Sequence, residues 1–426
     1  MPRIRAVLRV DDNARGIGGN ASSPLRCVYV GHEPFGPTYI TDVNGVIRDK
    51  DGNEGIESLT TSADITILCQ NSVARVLDGN DPLQRCPVVP TFRINRPASG
   101  APVNAIVTPA VAGAFISHFR ILNQAFDAYH LVWRQFEPFR DAGDFPLGRR
   151  QTDDLETTRN QPKRLELIFP GPIQALSGVA TALGLPVPPS GILSYTDPVG
   201  TFDNWPRILV QPDPPESRLF TGSGNLPNGN RAGITLVASE MAHALHFSLL
   251  SKTQRDSIRR NYLGFLITQA ANGLPVTHMI GAQTSPMVAF LEALDHLSHR
   301  LSESVRSRLR TYPVDPPAAD RYVVDELRGR NPIPPRVGRL TIDNSGSRNR
   351  LEGRPATGLV LSGTLDEGAV FGGLILSLGL RIGIDQAIEA ILASKKTDFG
   401  SFRTWFNSNH PALRSELDDV VQTWGL

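Results

Sequence analysis

Short runs of alternating apolar and polar residues fill the first hundred positions of the chain. They are rich in β-branched side chains and separated by turn-forming pairs such as Asn44-Gly45 and Asp51-Gly52, a pattern typical of antiparallel strands joined by tight turns. The spacing predicts a small antiparallel β-sandwich. Its strands are expected over residues 6–10, 27–30, 38–43, 64–68, 73–77 and 92–94.

After residue 97 the apolar positions change to helical spacing. The segment Pro97-Ala-Ser-Gly-Ala-Pro102 has the composition of a linker, so we place a domain boundary there. Aromatic and aliphatic residues then recur every three or four positions from 112 to 136, which predicts a long helix. Strands are predicted over 165–169, 192–195 and 208–210, with a helix over 173–183, and later helices over 234–247, 254–271, 286–309 and 366–394.

These patterns predict an α+β fold with two domains. Residues 1–97 are predicted to form a β-sandwich, and residues 103–426 a mostly helical α/β domain. The stretch over 330–358, rich in Pro, Gly and Asn, predicts a long mobile connection or contact arm. The aromatic stretch over 399–406 is expected to close the core.

Composition excludes several functional classes. The chain has 426 residues with 43 basic and 42 acidic side chains, so charge does not favour a nucleic-acid or membrane-surface partner. No stretch reaches the roughly 18 apolar residues that span a bilayer, and the charged N-terminus is not a secretory signal. We therefore expect a cytoplasmic protein, or one exported without a cleavable signal peptide. Cys27, Cys69 and Cys86 are expected to be small buried residues rather than a disulfide framework.

The segment from Ile234 to Phe247 carries the candidate chemistry. Apolar residues at Leu236, Val237, Met241, Leu245 and Leu249 form one stripe of the predicted helix. Beside that stripe lie the polar residues Ser239, Glu240, His243 and His246. We expect the first three of these to line the floor of a cleft.

The five residues Ser239-Glu240-Met241-Ala242-His243 resemble the active-site helix of zinc metallopeptidases of the zincin class. In those enzymes H-E-x-x-H places two histidines one turn apart on a single Zn²⁺, and the Glu polarises the metal-bound water. The resemblance implies that His243 is a zinc ligand and Glu240 the catalytic carboxylate. Ser239 occupies the first ligand position, and its neutral hydroxyl is a poor zinc ligand. The resemblance thus implies a degenerate site that binds zinc weakly or not at all.

A gluzincin-like protein takes its third metal ligand from a Glu on a later helix. Two residues compete for that position, Glu292 in the helix predicted over 286–309 and Glu367 in Asp366-Glu367-Gly368; the Glu-Gly pair slightly favours Glu367. His246 is a further candidate, although the Gly and His that follow in metzincins are absent after Phe247. In the N-terminal part, the hairpin over residues 38–47 resembles transthyretin-like, carboxypeptidase-regulatory-type sandwiches. That resemblance implies an accessory or interaction role for the β-sandwich over residues 1–97.

Three functions remain open at this stage. The first is a metallopeptidase-like pseudoenzyme with a binding or structural role, whose partner is a protein or peptide. The second is an active zinc-dependent peptidase, a hydrolase that binds its metal through His243 with Glu292 or Glu367 and His246. The third is a structural subunit of a homo-oligomer or a larger assembly. Loss of one imidazole removes several kcal/mol from an apparent zinc affinity of roughly 10 to 16 kcal/mol, which favours the first function.

Overall fold

The computed structural model describes most of the chain in separate stretches. These are residues 2–11, 22–32, 38–49, 52–71, 73–134, 136–140, 164–171, 194–198, 206–210, 234–271, 287, 290–294, 297–298 and 367–424. The helix predicted over 173–183 and the connection predicted over 330–358 lie outside the described residues. Strands and helices are both abundant, so the α+β class is confirmed.

Among the residues that the structure describes, eleven strands come before helix α1 (Pro109–Ala112). They are β1 (Arg3–Ile4), β2 (Ala6–Asp11), β3 (Ser22–Pro24), β4 (Tyr29–His32), β5 (Thr38–Thr41), β6 (Ile47–Arg48), β7 (Ile56–Glu57), β8 (Ser62–Leu68), β9 (Ala74–Asp78), β10 (Val88–Asn95) and β11 (Val103–Val107). An antiparallel five-stranded sheet has the order β10-β8-β4-β5-β6, a three-stranded sheet has the order β11-β2-β3, and β1 pairs with β7.

The alternation seen in the sequence becomes burial on one face. In β8 the side chains of Ala63, Ile65 and Ile67 are buried while their neighbours are half-exposed. The turn at Gly45 shows why glycine is needed there. Its φ is +81°, and a Cβ atom at this position would lie 2.4 Å from the carbonyl oxygen of Leu8, which only glycine avoids.

Two strand pairings cross the predicted boundary near residue 97. Strand β11, which follows the predicted linker, pairs in parallel with β2 near the N-terminus. Strand β9, which precedes the linker, pairs in parallel with β12 (Leu165–Phe169). The division into domains 1–97 and 103–426 therefore stays a prediction, and separate folding of the two parts would have to break both pairings.

The second major sheet supports the candidate site. Its order is β13-β14-β12-β9, with β13 (Ser194–Asp197) antiparallel at one edge and β14 (Arg207–Val210) parallel to β12. Glu166 in the centre binds Arg75 on one neighbouring strand and Arg207 on the other, the latter at 2.7 Å. This row of opposite charges across three strands compensates the buried carboxylate.

The helical segment predicted over residues 112–136 is confirmed, although several helix types share it. It comprises α1 (Pro109–Ala112), a 3₁₀ turn (Gly113–Phe115), α2 (Ile116–Ala128) and a π-helical turn (Tyr129–Trp133), and α3 (Glu137–Arg140) follows. His118 and His130 on this segment are both buried. The aromatic spacing of the sequence thus corresponds to a helix that is enclosed on nearly every side.

The remaining helices form the rest of the core; those up to residue 394 agree with the sequence pattern, whereas the two after it were not predicted as helices. They are α4 (Ile234–Ser248), α5 (Lys252–Ala271), α6 (Glu367–Ile382), α7 (Ile384–Ser394), α8 (Phe399–Asn409) and α9 (Arg414–Trp424). Between α5 and α6 the residues described are Met287, 290–294, 297 and 298; they are helical, and we call them the Glu292 segment. Among the helices described here, none is long and apolar enough to cross a membrane.

The apolar region predicted over 366–394 divides at Gly383, where φ is +104°. Close packing explains a second glycine, because a Cβ atom on Gly379 would lie 2.6 Å from the Ile384 side chain. Phe290, Phe371, Phe399 and Phe402 contact one another as aromatic rings. These contacts join the Glu292 segment to α6 and α8.

Candidate functional site

Helix α4 lies between the edge of the second sheet and α2. Its Val237, Met241 and Leu245 are fully buried, as their helical spacing predicts. The polar stripe beside them is largely enclosed too, with His243 6 % exposed and His246 1 % exposed. Glu240 is half-buried, so of these three side chains it is the one most accessible to solvent.

The structure brings His243 and Glu292 together. The Nε2 atom of His243 lies 3.4 Å from Oε2 of Glu292, although the two residues are far apart in the chain. The hydroxyl of Tyr262 on α5 donates to the other carboxylate oxygen, Oε1. Phe247 stacks against the His243 imidazole with ring centroids 5.5 Å apart. Three helical elements thus meet around one buried carboxylate.

Glu240 is held from the other side by the edge strand. The Oγ1 atom of Thr196 on β13 lies 2.6 Å from Oε2 of Glu240 and 2.9 Å from its carbonyl oxygen. The neighbouring Asp197 lies 3.9 Å from the Arg259 guanidinium on α5. Strand β13 is therefore attached to both helices, and the Glu240 carboxylate has a defined direction.

The remaining candidate ligands are Ser239, Glu367 and His246. Ser239 lies on α4 one turn before His243, and Glu367 is the first residue of α6; their side chains are outside the description. His246 is enclosed, and neither ring nitrogen has a hydrogen-bond partner among the described residues. Burial, with a smaller effect of the neighbouring His243 charge, lowers the pKa of His246 to about 3. His246 is consequently neutral at pH 7.

The donor set can be compared with a zinc site. Two atoms bound to one tetrahedral Zn²⁺ at 2.0–2.2 Å lie about 3.3–3.5 Å apart, and the His243–Glu292 distance of 3.4 Å falls in this range. A catalytic zinc nevertheless takes three protein ligands. Within the described part of the chain no three His, Cys, Asp or Glu residues are grouped to hold a metal, and Tyr262 already binds the second oxygen of Glu292. The described residues thus bring together two of the candidate ligands, His243 and Glu292.

Two residues of the site carry no signal in the sequence. Tyr262 lies within a correctly predicted helix, but nothing in its neighbourhood distinguishes it from a core tyrosine. Thr196 lies one residue beyond the strand predicted over 192–195, where a threonine is an ordinary β-strand residue. Both were recognised only from their contacts with the two carboxylates.

Comparisons of the chain with protein-family models, with curated proteins and with solved structures found no match.

Proposed function

We propose that this chain is a zincin-like, gluzincin-type protein with a degenerate metal site, and that it acts by binding a protein or peptide rather than by hydrolysis. The carrying observation is the contact between His243 and Glu292 at 3.4 Å. His243 stands at the second ligand position of the family resemblance and Glu292 is a candidate for the third, whereas Ser239 stands at the first. Two ligands and a serine are fewer than a catalytic zinc requires.

The two carboxylates of this site have partners among the described residues. A buried carboxylate is costly unless hydrogen bonds or an opposite charge balance it. Glu292 receives the Tyr262 hydroxyl on one oxygen and faces the His243 imidazole with the other. Thr196 binds the Glu240 carboxylate. The arrangement supports a binding role, because neighbouring hydroxyl groups hold both carboxylates in defined directions.

We also propose that the N-terminal strands form a sandwich that serves as the docking module. Buried residues of the five-stranded sheet, such as Ile65 and Ile67, belong to the same hydrophobic core as Leu8 and Val10 of the three-stranded sheet. Two sheets that share one core are what a sandwich requires.

Metal analysis tests the proposal directly. Full-length protein purified without chelator should contain well under one zinc per chain by mass spectrometry. With added zinc it should hydrolyse a mixed peptide pool no faster than its Glu240→Gln variant, which removes the candidate catalytic carboxylate. Near-stoichiometric zinc, together with hydrolysis that Glu240→Gln abolishes, would contradict the proposal and support an active peptidase with unusual ligands.

Restoring the missing ligand tests the resemblance itself. Ser239→His places an imidazole one turn before His243, and we expect it to create measurable zinc binding by calorimetry. Ser239→Asn is the matched control, because it changes the same position without a good ligand. Adding Glu292→Gln to Ser239→His should weaken zinc binding at least about 100-fold, more than an outer-shell change costs. If Glu367→Gln has that effect instead, Glu367 is the third ligand.

A folded Ser239→His protein that binds zinc no better than Ser239→Asn would show that α4 is not a degenerate metal helix. The family resemblance would then fail, whatever the metal content of the natural chain.

A further inference from the structure

A buried hydrogen-bond chain joins three elements behind the site. The indole N–H of Trp133, at the end of the π-helical turn, donates to Oγ of Ser298 at 3.1 Å. The Ser298 hydroxyl in turn donates to the carbonyl oxygen of Ala238 on α4 at 2.6 Å. Both side chains are enclosed, with Trp133 1 % and Ser298 0 % exposed. The acceptor residue directly precedes Ser239.

The hydrogen bond from Ser298 to Ala238 and the contact between His243 and Glu292 both join α4 to the Glu292 segment. On the Glu292 segment they lie six residues apart in the sequence, and on α4 they lie five residues apart, about 7.5 Å along the helix axis. Ser298 meets Ala238 and Glu292 meets His243, so the two elements run antiparallel. Two such points determine both the register and the rotation of one helix against the other.

A change of register would separate the pair. Displacement of the Glu292 segment by one residue moves it about 1.5 Å along its axis and turns its side chains by about 100°. The Glu292 carboxylate would then point away from His243. The apolar contacts around it are less directional than hydrogen bonds, so they select this register less sharply.

The π-helical turn explains why the indole reaches Ser298. The N–H of Arg134 donates to the carbonyl oxygen of Tyr129, five residues earlier, at 2.9 Å. The turn therefore holds one more residue than an α-helical turn, which alters the direction of side chains at its end. Trp133 is the last residue of this turn.

We infer that Trp133 and Ser298 are positioning residues of the site, which set the register of the Glu292 segment on α4 and so hold Glu292 against His243. The inference rests on the proposed function, because it concerns how the same pair is held. They act through the Ala238 carbonyl oxygen on α4 and through the Glu292 segment that Ser298 shares.

A double-mutant cycle tests this role without a metal ion. Urea unfolding is measured for the full chain, for Glu292→Gln, for Ser298→Ala and for the double variant. If Ser298 positions the pair, Glu292→Gln should change the unfolding equilibrium constant at least about threefold less in the Ser298→Ala background than in the natural chain. A merely structural serine would lower stability and leave the effect of Glu292→Gln unchanged.

Trp133→Phe provides an independent second cycle, since it removes the N–H donor and keeps an aromatic ring against Phe136 and Phe139. The control is Ser394→Ala on α7, a buried serine whose hydroxyl donates to Ile391 of its own helix at 2.7 Å. In the Ser298→Ala and Trp133→Phe backgrounds, we expect Glu292→Gln to change the unfolding equilibrium constant less than it does in the natural chain. In the Ser394→Ala background, we expect Glu292→Gln to change it by the same factor as in the natural chain.

The inference would be overturned if, in both the Ser298→Ala and Trp133→Phe cycles, Glu292→Gln changed the unfolding equilibrium constant by the same factor as in the natural chain, within about twofold. That result would leave the proposed function intact, because zinc binding by Ser239→His does not enter the cycle. Conversely, failure of Ser239→His to bind zinc would leave the measured coupling unchanged.

Discussion

Acidification should destabilise the protein through its buried histidines. Burial, together with the positive charges of Arg134 and Arg26, lowers the pKa of His130 to about 3, and burial lowers the pKa of His246 to about 3. An unfolded chain gives histidine a pKa of about 6.5. Below that pH the unfolded state binds protons that the folded state excludes. These histidines therefore do not reduce the free energy of unfolding above pH 6.5. As the pH falls from 6.5 towards 3, they lower it progressively.

The size of the effect follows from the two shifts. Each excluded proton lowers the free energy of unfolding by about 1.4 kcal/mol per pH unit once the pH is well below 6.5. His130 and His246 together give roughly 2.7 kcal/mol per unit, and burial lowers the pKa of His118 in the same direction. A domain of ordinary stability has about 5–15 kcal/mol, so unfolding is expected between about pH 5 and pH 3.

Urea unfolding at several pH values from 7.5 to 5.0 measures this slope. The window avoids the carboxyl groups of Asp64, Asp81 and Asp418, whose pKa values are lowered by neighbouring arginines. Glutamine cannot titrate, so His130→Gln should reduce the slope of the free energy of unfolding against pH, below pH 6, by the equivalent of about one proton. His130→Gln combined with His246→Gln should reduce that slope by the equivalent of about two protons. A slope that is the same in the natural chain and in both variants would refute the reasoning.

Two further predictions concern stability. Arg26→Met should lower the free energy of unfolding by about 3–5 kcal/mol in urea titrations, because Arg26 lies 3.3 Å from the buried Asp127 carboxylate. Adding Asp127→Leu should recover much of that loss, and no recovery would contradict the explanation. Asp398→Ala should cost about 1 kcal/mol, since its carboxylate accepts the Ser401 N–H at 2.8 Å at the start of α8; Asp398→Asn should retain most of the stability, and equal losses in both variants would exclude a capping role.

Local patterns were reliable where one side of an element faces the core. The alternation over 64–68 predicted β8, and the three- and four-residue spacing over 234–247 predicted α4, because burial of one face imposes a period on the sequence. The short strands β1, β6 and β7 were missed, since each has two residues and no period can be read from so few.

Long-range pairing could not be read in the same way. Strand β9 was correctly predicted as a strand but assigned to the N-terminal sheet, whereas it pairs with β12 in the second sheet. A strand presents the same backbone groups to any neighbour, so its partner depends on how the surrounding layers pack. The distinction between one and two folding units therefore requires the strand order as well as the position of the linker.

The sequence by itself determined which groups could do chemistry on α4: a carboxylate, a histidine one turn later and a serine at the remaining ligand position. It left Glu292 and Glu367 open as partners of His243. Tertiary packing placed Glu292 3.4 Å from His243 and added Tyr262 and Thr196, which no motif marks. The physical reason is that one helical turn relates residues through the fixed geometry of a helix, whereas residues on different helices meet only through the register in which those helices pack.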